Sequence, residues 1–226
     1  MQQCGRMWEV SRLTGDVDFM IHGIFSYELF GHTVWITTSH VCIFIVMLSL
    51  LIFAIVANRS LAHGENVPTG FQNVVELVVE KLDGMVEGTM GKEVGAGFAN
   101  YIGTVFLFVL LSNIAGLFGL RPPTADYGTT LALALITFFL IHITKIKNRM
   151  PSSFSAAVPI SLSLRLFANV LSGTVMLALV YGLLGRLAFI WPAALHIYFD
   201  LFSGAIQTYV FCMLTMTYIG QNYEAE

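Results

Sequence analysis

Charged residues are scarce in this sequence. Only 11% of its 226 residues are charged, whereas a soluble domain has about 25%. Hydrophobic residues make up 56%, so the chain cannot cover itself with polar side chains and is expected to be surrounded in part by lipid. The formal net charge of −3 provides no basic surface of the kind that binds nucleic acid.

Cysteine is also rare, and Cys4, Cys42 and Cys212 show no metal-ligand spacing. We therefore expect neither a structural disulfide nor a metal site. The sequence contains no GxxxxGK[ST] phosphate loop, no GxSxG and no HExxH, the motifs of nucleotide binding, serine hydrolysis and zinc proteolysis. The chain is thus expected to bind no cofactor, and any bond-breaking chemistry is expected to belong to another subunit.

Five long apolar segments predict an all-α, polytopic membrane protein, with residues 1–226 as one membrane domain. The segments suit a bilayer core of about 30 Å, and they are 34–57, 101–120, 129–145, 155–185 and 188–220. The last two are longer than one straight crossing needs, which predicts a long, tilted C-terminal helix hairpin. Residues 1–33 are mixed in character and predict an N-terminal interfacial segment.

Residues 68–95 have the pattern of an amphipathic helix. Acidic residues recur at steps of four, three and four, at Glu76, Glu80, Asp83 and Glu87. Valines occupy the opposite side of this helix. This pattern predicts a helix that lies along the membrane surface. The alternative is a solvated face with no specific partner.

Basic residues near the segment ends predict the orientation. One side of the membrane collects six of them, Arg59, Lys81, Lys92, Lys145, Lys147 and Arg149. The other side collects four, Arg6, Arg12, Arg121 and Arg186. The bias favours an N-terminus outside and a C-terminus in the cytoplasm.

Of the 25 charged side chains, only Arg165 and Asp200 lie well inside a predicted membrane segment. A charge at the bilayer centre costs about 2.5–3.5 kcal/mol on insertion scales, and such residues often mark ion pathways. The two residues could instead form a static buried ion pair.

Each helix of the predicted C-terminal hairpin carries one polar stripe at helical spacing. The stripes are Ser161, Arg165, Asn169 and Ser172 on the first helix, and His196, Asp200, Ser203 and Gln207 on the second. Facing stripes could hold water or pass protons, or they could serve as helix-packing contacts.

The sequence contains four motifs: PISLSLRLFAN (159–169), GAIQTYVF (204–211), PTAD (123–126) followed by TTLALA (129–134), and Ser112-Asn113. They resemble motifs of subunit a of F-type rotary ATP synthases, and the turn 123–126 with 129–134 resembles bacterial members in particular. They occur in consistent order over about residues 20–220.

The resemblance implies a role for each matching residue. Arg165 matches the essential arginine that faces the carboxylate of the rotating c-ring, and Gln207 matches the glutamine beside it. Asp200 falls where the family has an acid or histidine in the entrance half-channel. Asn169 and Asn113 match polar residues near the two half-channels.

The implied function is an ion-conducting stator subunit. H⁺, or alternatively Na⁺, would pass through two half-channels to and from the c-ring carboxylate, and Arg165 would prevent leak. The implied partners are the c-ring, the peripheral stalk b subunits and membrane lipid. A stand-alone transporter or channel with an Arg165/Asp200 switch, and a structural assembly protein, are the alternatives.

Three positions depart from the family pattern. Thr174 stands where many relatives have Glu or His, Ser155 where many bacterial relatives have an acid, and Gly116 where some have Asp. Asp200 and His196 are therefore expected to line more of the entrance pathway. The turn at 123–126 and the lack of a transit peptide favour a bacterial plasma membrane, with a mitochondrial inner or thylakoid membrane as the alternative.

Overall fold

A computed structural model describes residues 23–29, 32–62, 70–118, 120, 122–147, 157–184, 194–195, 197–221 and 223 of the chain. Within them, six long α-helices follow a short hairpin of strands. The helices are α1 (Thr38–Ala62), α2 (Phe71–Met90), α3 (Lys92–Ile114), α4 (Tyr127–Lys147), α5 (Ala157–Leu184) and α6 (Gly204–Gly220). A π-helix, Ile197–Ser203, directly precedes α6.

Five helical stretches of the described residues are long and apolar enough to cross a membrane. They are Thr38–Leu61, Lys92–Phe118, Tyr127–Lys147, Val158–Val180 and Ile197–Gly220. The predicted all-α, polytopic membrane protein with five membrane helices is thereby confirmed.

A strand hairpin comes before the first membrane helix. Strands β1 (Gly23–Leu29) and β2 (His32–Thr37) pair antiparallel. The apolar run predicts a helix from residue 34 onward, but the helix begins at Thr38. Val34, Trp35 and Ile36 are β-branched or aromatic and suit a strand, and apolar content alone does not distinguish the two states.

The break between α2 and α3 falls at Gly91. This residue has φ 77°, a conformation that glycine adopts at little cost and that ends a helix. The sequence prediction instead extended the amphipathic helix to residue 95 and began the span at 101. Hydropathy alone did not locate this turn, because the next helix begins directly after the glycine and includes residues 92–100.

The amphipathic character of α2 determines how it packs. Its apolar side contributes Val86 and Met90 to the core, where they join Ile102 and Val105 of α3. Glu80, Asp83 and Glu87 are exposed on the other side. The position of α2 along the membrane surface stays a prediction.

Helix α4 begins with a side-chain cap. The Asp126 carboxylate accepts a hydrogen bond from the backbone N–H of Gly128 at 3.1 Å, as a capping residue does. A 3-10 turn, Pro123–Ala125, holds this aspartate at the start of the helix. The helix therefore begins two residues before the predicted 129 and ends two after 145.

The core lies among α3, α4, α5 and α6. Its fully buried side chains include Ile102, Leu166, Phe211 and Met216. Lipid is as apolar as these residues, so helix association in a membrane depends on close packing and buried polar contacts. The hydroxyl pair of Tyr101 and Thr137, 3.0 Å apart, is one such contact between α3 and α4.

The outward faces of the membrane helices are apolar. Phe44, Leu51 and Phe139 are among the exposed large side chains. In water such exposure would mark a large interaction surface, whereas lipid accommodates it. The turn of the predicted C-terminal hairpin, with Arg186 and His196, lies outside the described residues, as does Ser155.

Candidate functional site

A buried amide on α3 ties together three parts of the fold. Asn113 Nδ2 donates to the carbonyl oxygen of Gly204 at 3.1 Å and to Thr208 Oγ1 at 3.3 Å. Its Oδ1 accepts from Thr124 Oγ1 at 2.7 Å. A side-chain amide has two N–H donors, so both donors of Asn113 are used. This residue, predicted to line the ion pathway, joins α3 to α6 and to the turn before α4.

The fit around Asn113 requires a residue without a side chain at position 204. A Cβ on Gly204 would lie 2.8 Å from the Cβ of Asn113, closer than two carbon atoms can pack. The glycine therefore lets the backbone of α6 approach α3 until the amide reaches its carbonyl oxygen. The GAIQ motif of the sequence begins at this contact.

Asp200 lies in the π-helix that precedes α6. Single π-helical turns occur frequently at functional sites. The polar-stripe prediction assumed α-helical steps along 196–207, and the π-helical turn breaks that assumption because each turn holds more residues. The structure directs the Asp200 carboxylate toward the end of α3, where it meets Gly116.

The contact between Asp200 and Gly116 is close. A Cβ on Gly116 would lie 3.0 Å from Asp200 Cγ and 3.1 and 3.2 Å from its two carboxylate oxygens. Gly116 belongs to a 3-10 turn, Ala115–Phe118, that continues α3. The carboxylate thus occupies the space that a side chain at position 116 would need.

A small cavity adjoins this carboxylate. Its volume is about 20 Å³, and it is lined by Asn113, Pro122, Asn169, Val170, Gly173, Phe199, Asp200 and Gly204. A polar cavity of about 10–15 Å³ or more can hold one water molecule. The cavity has two amides and a carboxylate in its wall, so it suits a single bound water.

Asn169 reaches this cavity from α5. Its Oδ1 accepts a hydrogen bond from Ser203 Oγ at 3.2 Å, which connects α5 to the end of the π-helix. Asn113, Asn169, Asp200 and Ser203, four of the predicted ion-pathway residues, are therefore brought together by the fold.

Arg165 lies on a different surface of α5. Its side chain is exposed, as are those of Ser161 and Ser172, whereas Asn169 is partly buried at the cavity. Four residues of α-helix turn a side chain about 40° beyond a full circle, enough to direct Asn169 inward from the stripe that Arg165 occupies. The predicted single stripe is therefore divided between two surfaces.

No hydrogen bond or ion pair of Arg165 occurs within the part of the chain that the structure describes. It does not line the cavity beside Asp200. The static Arg165–Asp200 pair considered from the sequence is thus not formed among these residues.

Gln207 is buried in α6, with 8% of its surface exposed. Its Nε2 is enclosed and has no hydrogen-bond partner among the described residues. A buried amide donor without an acceptor costs about 1–3 kcal/mol, and such a group calls for an explanation. The guanidinium of Arg165 has no acceptor atom, so Arg165 could not satisfy this donor.

The remaining predicted residues have local roles in the structure. Thr174 is partly buried and donates to the Leu171 carbonyl oxygen of its own helix at 2.8 Å. It does not line the cavity, whereas its neighbour Gly173 does. Within the described ranges, no group of three His, Cys, Asp or Glu side chains could hold a metal ion.

Sequence reasoning missed several residues of this site. Thr124 and Thr208 are fully buried partners of Asn113, and Gly204 provides space rather than chemistry. Thr124 and Gly204 lie inside the PTAD and GAIQ motifs, so those motifs held the available signal. Small residues show their purpose only when their neighbours are known.

Comparison with known proteins identifies related sequences. The sequence model of the ATP synthase A chain matches residues 40–157 and 152–220. The chain is 35% identical, over 218 aligned positions, to the sodium-ion-specific ATP synthase subunit a of Propionigenium modestum, covering 81% of this chain and 73% of that protein.

Two further relatives are also described as ATP synthase subunit a, without a named ion. ATP synthase subunit a 1 of Pelobacter propionicus is 36% identical over 202 aligned positions, which cover 80% of this chain and 85% of the relative. ATP synthase subunit a of Geobacter sulfurreducens has the same identity and the same coverage.

Proposed function

This chain belongs to the family of ATP synthase subunit a, and from that premise we propose that it conducts H⁺ between two half-channels and a rotating c-ring. One observation carries the proposal. Of the two intramembrane charges, Arg165 faces outward without a partner in the described part of the chain, and Asp200 lines a small cavity together with the amides of Asn113 and Asn169.

The exposure of Arg165 argues for a partner on another subunit. An arginine stays protonated in proteins, and a charge that faces only lipid is costly. An ionised carboxylate on the c-ring would remove that cost. The same attraction would favour release of the ion from the ring carboxylate and would block a direct leak between the half-channels.

The cavity at Asp200 suits the entrance half-channel. A proton would bind the Asp200 carboxylate, with Asn169 and one water beside it, and would then pass to the ring carboxylate. Once neutral, that carboxylate could rotate into lipid, since the cost of its charge has been removed. The ion would leave through the second half-channel after the ring has turned.

Gln207 supports a hydrated site near this route. Its enclosed Nε2 needs an acceptor, and an internal water would provide one. Ser161, exposed on the Arg165 surface, and His196 and Thr174 remain candidates for lining the route.

The ion itself is proposed from the chemistry of the site. The cavity of about 20 Å³ has one carboxylate, which suits a proton and one water. The Propionigenium modestum relative is described as sodium-ion specific, so Na⁺ is the alternative to be tested.

The proposed location and partners follow from the family. The chain is a multi-pass membrane protein, and we propose a bacterial plasma membrane with the N-terminus outside and the C-terminus in the cytoplasm. Its proposed partners are the c-ring and the peripheral stalk b subunits, which would hold it against the rotor.

The experiment that tests the proposal replaces Arg165 with alanine in the whole complex. Ion-driven ATP synthesis in membrane vesicles is expected to fall to background, because the rotor carboxylate loses its counter-charge. Lys147→Ala, which removes an exposed basic residue from the last turn of α4, is the matched control. Full synthesis by Arg165→Ala would contradict the proposed function.

A further inference from the structure

We propose that Gly116 is a positioning residue for ion conduction, because the Asp200 carboxylate occupies the space that a side chain at position 116 would fill. The inference rests on the proposed function, since it concerns how this chain places the acid of its entrance half-channel. It assigns a role to a position that has no chemistry of its own.

The first step of the argument is steric. Three carboxyl atoms of Asp200 lie 3.0–3.2 Å from the point where a Cβ of residue 116 would stand. Ordinary van der Waals contact for such atoms begins near 3.4 Å. Any side chain at this position would therefore displace the carboxylate by at least a few tenths of an ångström.

The second step concerns the backbone of Gly116. Its φ lies outside the range that L side chains rarely adopt, and the positive-φ glycines of the described residues are Gly70 and Gly91. Glycine is thus not needed at position 116 for the conformation of the chain. The requirement for it is the space that the Asp200 carboxylate fills.

The third step is the surroundings of that carboxylate. The cavity of about 20 Å³ beside it has room for about one water, and Asn169 forms part of its wall. Asn169 is itself held by Ser203. A carboxylate displaced from Gly116 into this cavity would exclude the water.

A single methyl group provides the first test. In Gly116→Ala, passive proton conduction through F1-stripped vesicles is expected to fall measurably, but by less than the ~100-fold that a misplacement of a reacting group by about 1 Å can cost, because the carboxylate moves by a few tenths of an ångström. Gly103→Ala is the matched control in the same apolar stretch, Lys92–Phe118, since its Cβ would make an ordinary contact 3.7 Å from Leu82 Cδ1. It is expected to conduct like the unmodified complex.

An exchange of the carboxylate between the two positions provides the second test. Gly116→Asp alone places two carboxylates in one small space, and Asp200→Ala alone leaves none, so each is expected to lose conduction at least about tenfold. The double variant G116D/D200A returns one carboxylate to that space. It is expected to conduct about tenfold better than either single variant, a rescue that a purely structural role for Gly116 would not produce.

The outcomes separate this inference from the function on which it rests. Conduction by Gly116→Ala equal to that of Gly103→Ala, at equal amounts of assembled complex, overturns the inference. If Gly116→Ala does not assemble, the exchange variant decides, and a double variant no better than Asp200→Ala overturns it. Loss of ATP synthesis in Arg165→Ala would still support the proposed function in either case.

Discussion

The amide nitrogen of Asn113 lies 3.1 Å from the carbonyl oxygen of Gly204, so that α3 and α6 meet through a side chain and a bare backbone. Gly204 already accepts a hydrogen bond from Thr208 Oγ1 at 2.8 Å within its own helix. The carbonyl oxygen thus serves two donors. The contact fixes the start of α6 immediately after Asp200 and Ser203, and it sets the distance between the helices that bound the polar cavity.

Replacing Gly204 with alanine is expected to separate these two helices. The new Cβ would lie 2.8 Å from the Cβ of Asn113, and overpacking of a tight core costs about 1–3 kcal/mol. We expect a lower thermal stability of the purified complex and less subunit in the membrane. Gly220→Ala, at the other end of α6 with open space around it, is the control, and equal stability of the two variants would contradict the tight contact.

Loss of the Thr124 hydroxyl is expected to weaken the cluster around Asn113. In Thr124→Val, Asn113 Oδ1 loses its 2.7 Å donor, and a side-chain hydrogen bond in a membrane protein contributes about 0.6 kcal/mol on average. Thermal unfolding of the purified complex measures the change. Asn113→Ala removes two further bonds, so we expect a loss of about 2 kcal/mol.

Thr104→Val is the control for this pair of variants. The Thr104 hydroxyl is exposed and bonds only the Asn100 carbonyl oxygen of its own helix among the described contacts. It should leave the unfolding temperature nearly unchanged. A Thr124→Val complex as stable as this control would show that the buried bond contributes nothing.

Lysine at position 165 is not expected to replace the arginine. A lysine ammonium loses its proton readily when desolvated and lacks the planar fork that binds both carboxylate oxygens. We expect Arg165→Lys to reduce ion-driven ATP synthesis at least about tenfold, the effect of about 1.4 kcal/mol. Synthesis in vesicles at matched complex amounts is the measurement, and near-normal coupling would show that charge alone suffices.

Neutralising Asp200 without changing its shape is expected to separate conduction from folding. Asp200→Asn keeps the volume against Gly116 but removes the proton-binding carboxylate. We expect passive proton conduction to fall at least about tenfold with little change in thermal stability. In the control Asp126→Asn, the amide oxygen can still cap α4, so conduction should persist. Equal conduction by both variants would remove Asp200 from the pathway.

Sodium dependence of ATP hydrolysis by the whole complex is expected to identify the ion. If H⁺ is carried, hydrolysis should be unaffected by Na⁺ over a wide concentration range at constant ionic strength, with K⁺ as the replacement salt. Activation by Na⁺ would instead assign to this chain the ion named for its Propionigenium modestum relative.

The sequence alone determined that lipid surrounds part of this chain and that the chain is a polytopic membrane protein. It also singled out the two charged residues inside the membrane segments. Scarce charge and five apolar runs are sufficient to specify a membrane protein, since a bilayer rejects polar surface along any helix that crosses it. The same logic singled out Arg165 and Asp200, and the motifs around them identified the family. Helix ends were predicted less well, because Gly91 and the strand residues before Thr38 act through backbone conformation rather than hydropathy.

Only the tertiary structure decided which polar residues line the cavity and which are exposed. Helical spacing put Arg165 and Asn169 in one stripe, yet Asn169 contacts Ser203 of the π-helix and lines the cavity, whereas Arg165 is exposed. The spacing also gave no reason to connect Asp200 with Gly116, which lie 84 positions apart in the chain. That contact depends on the approach of two helices, set by the bond between Asn113 and Gly204, and no local pattern in either segment encodes that distance.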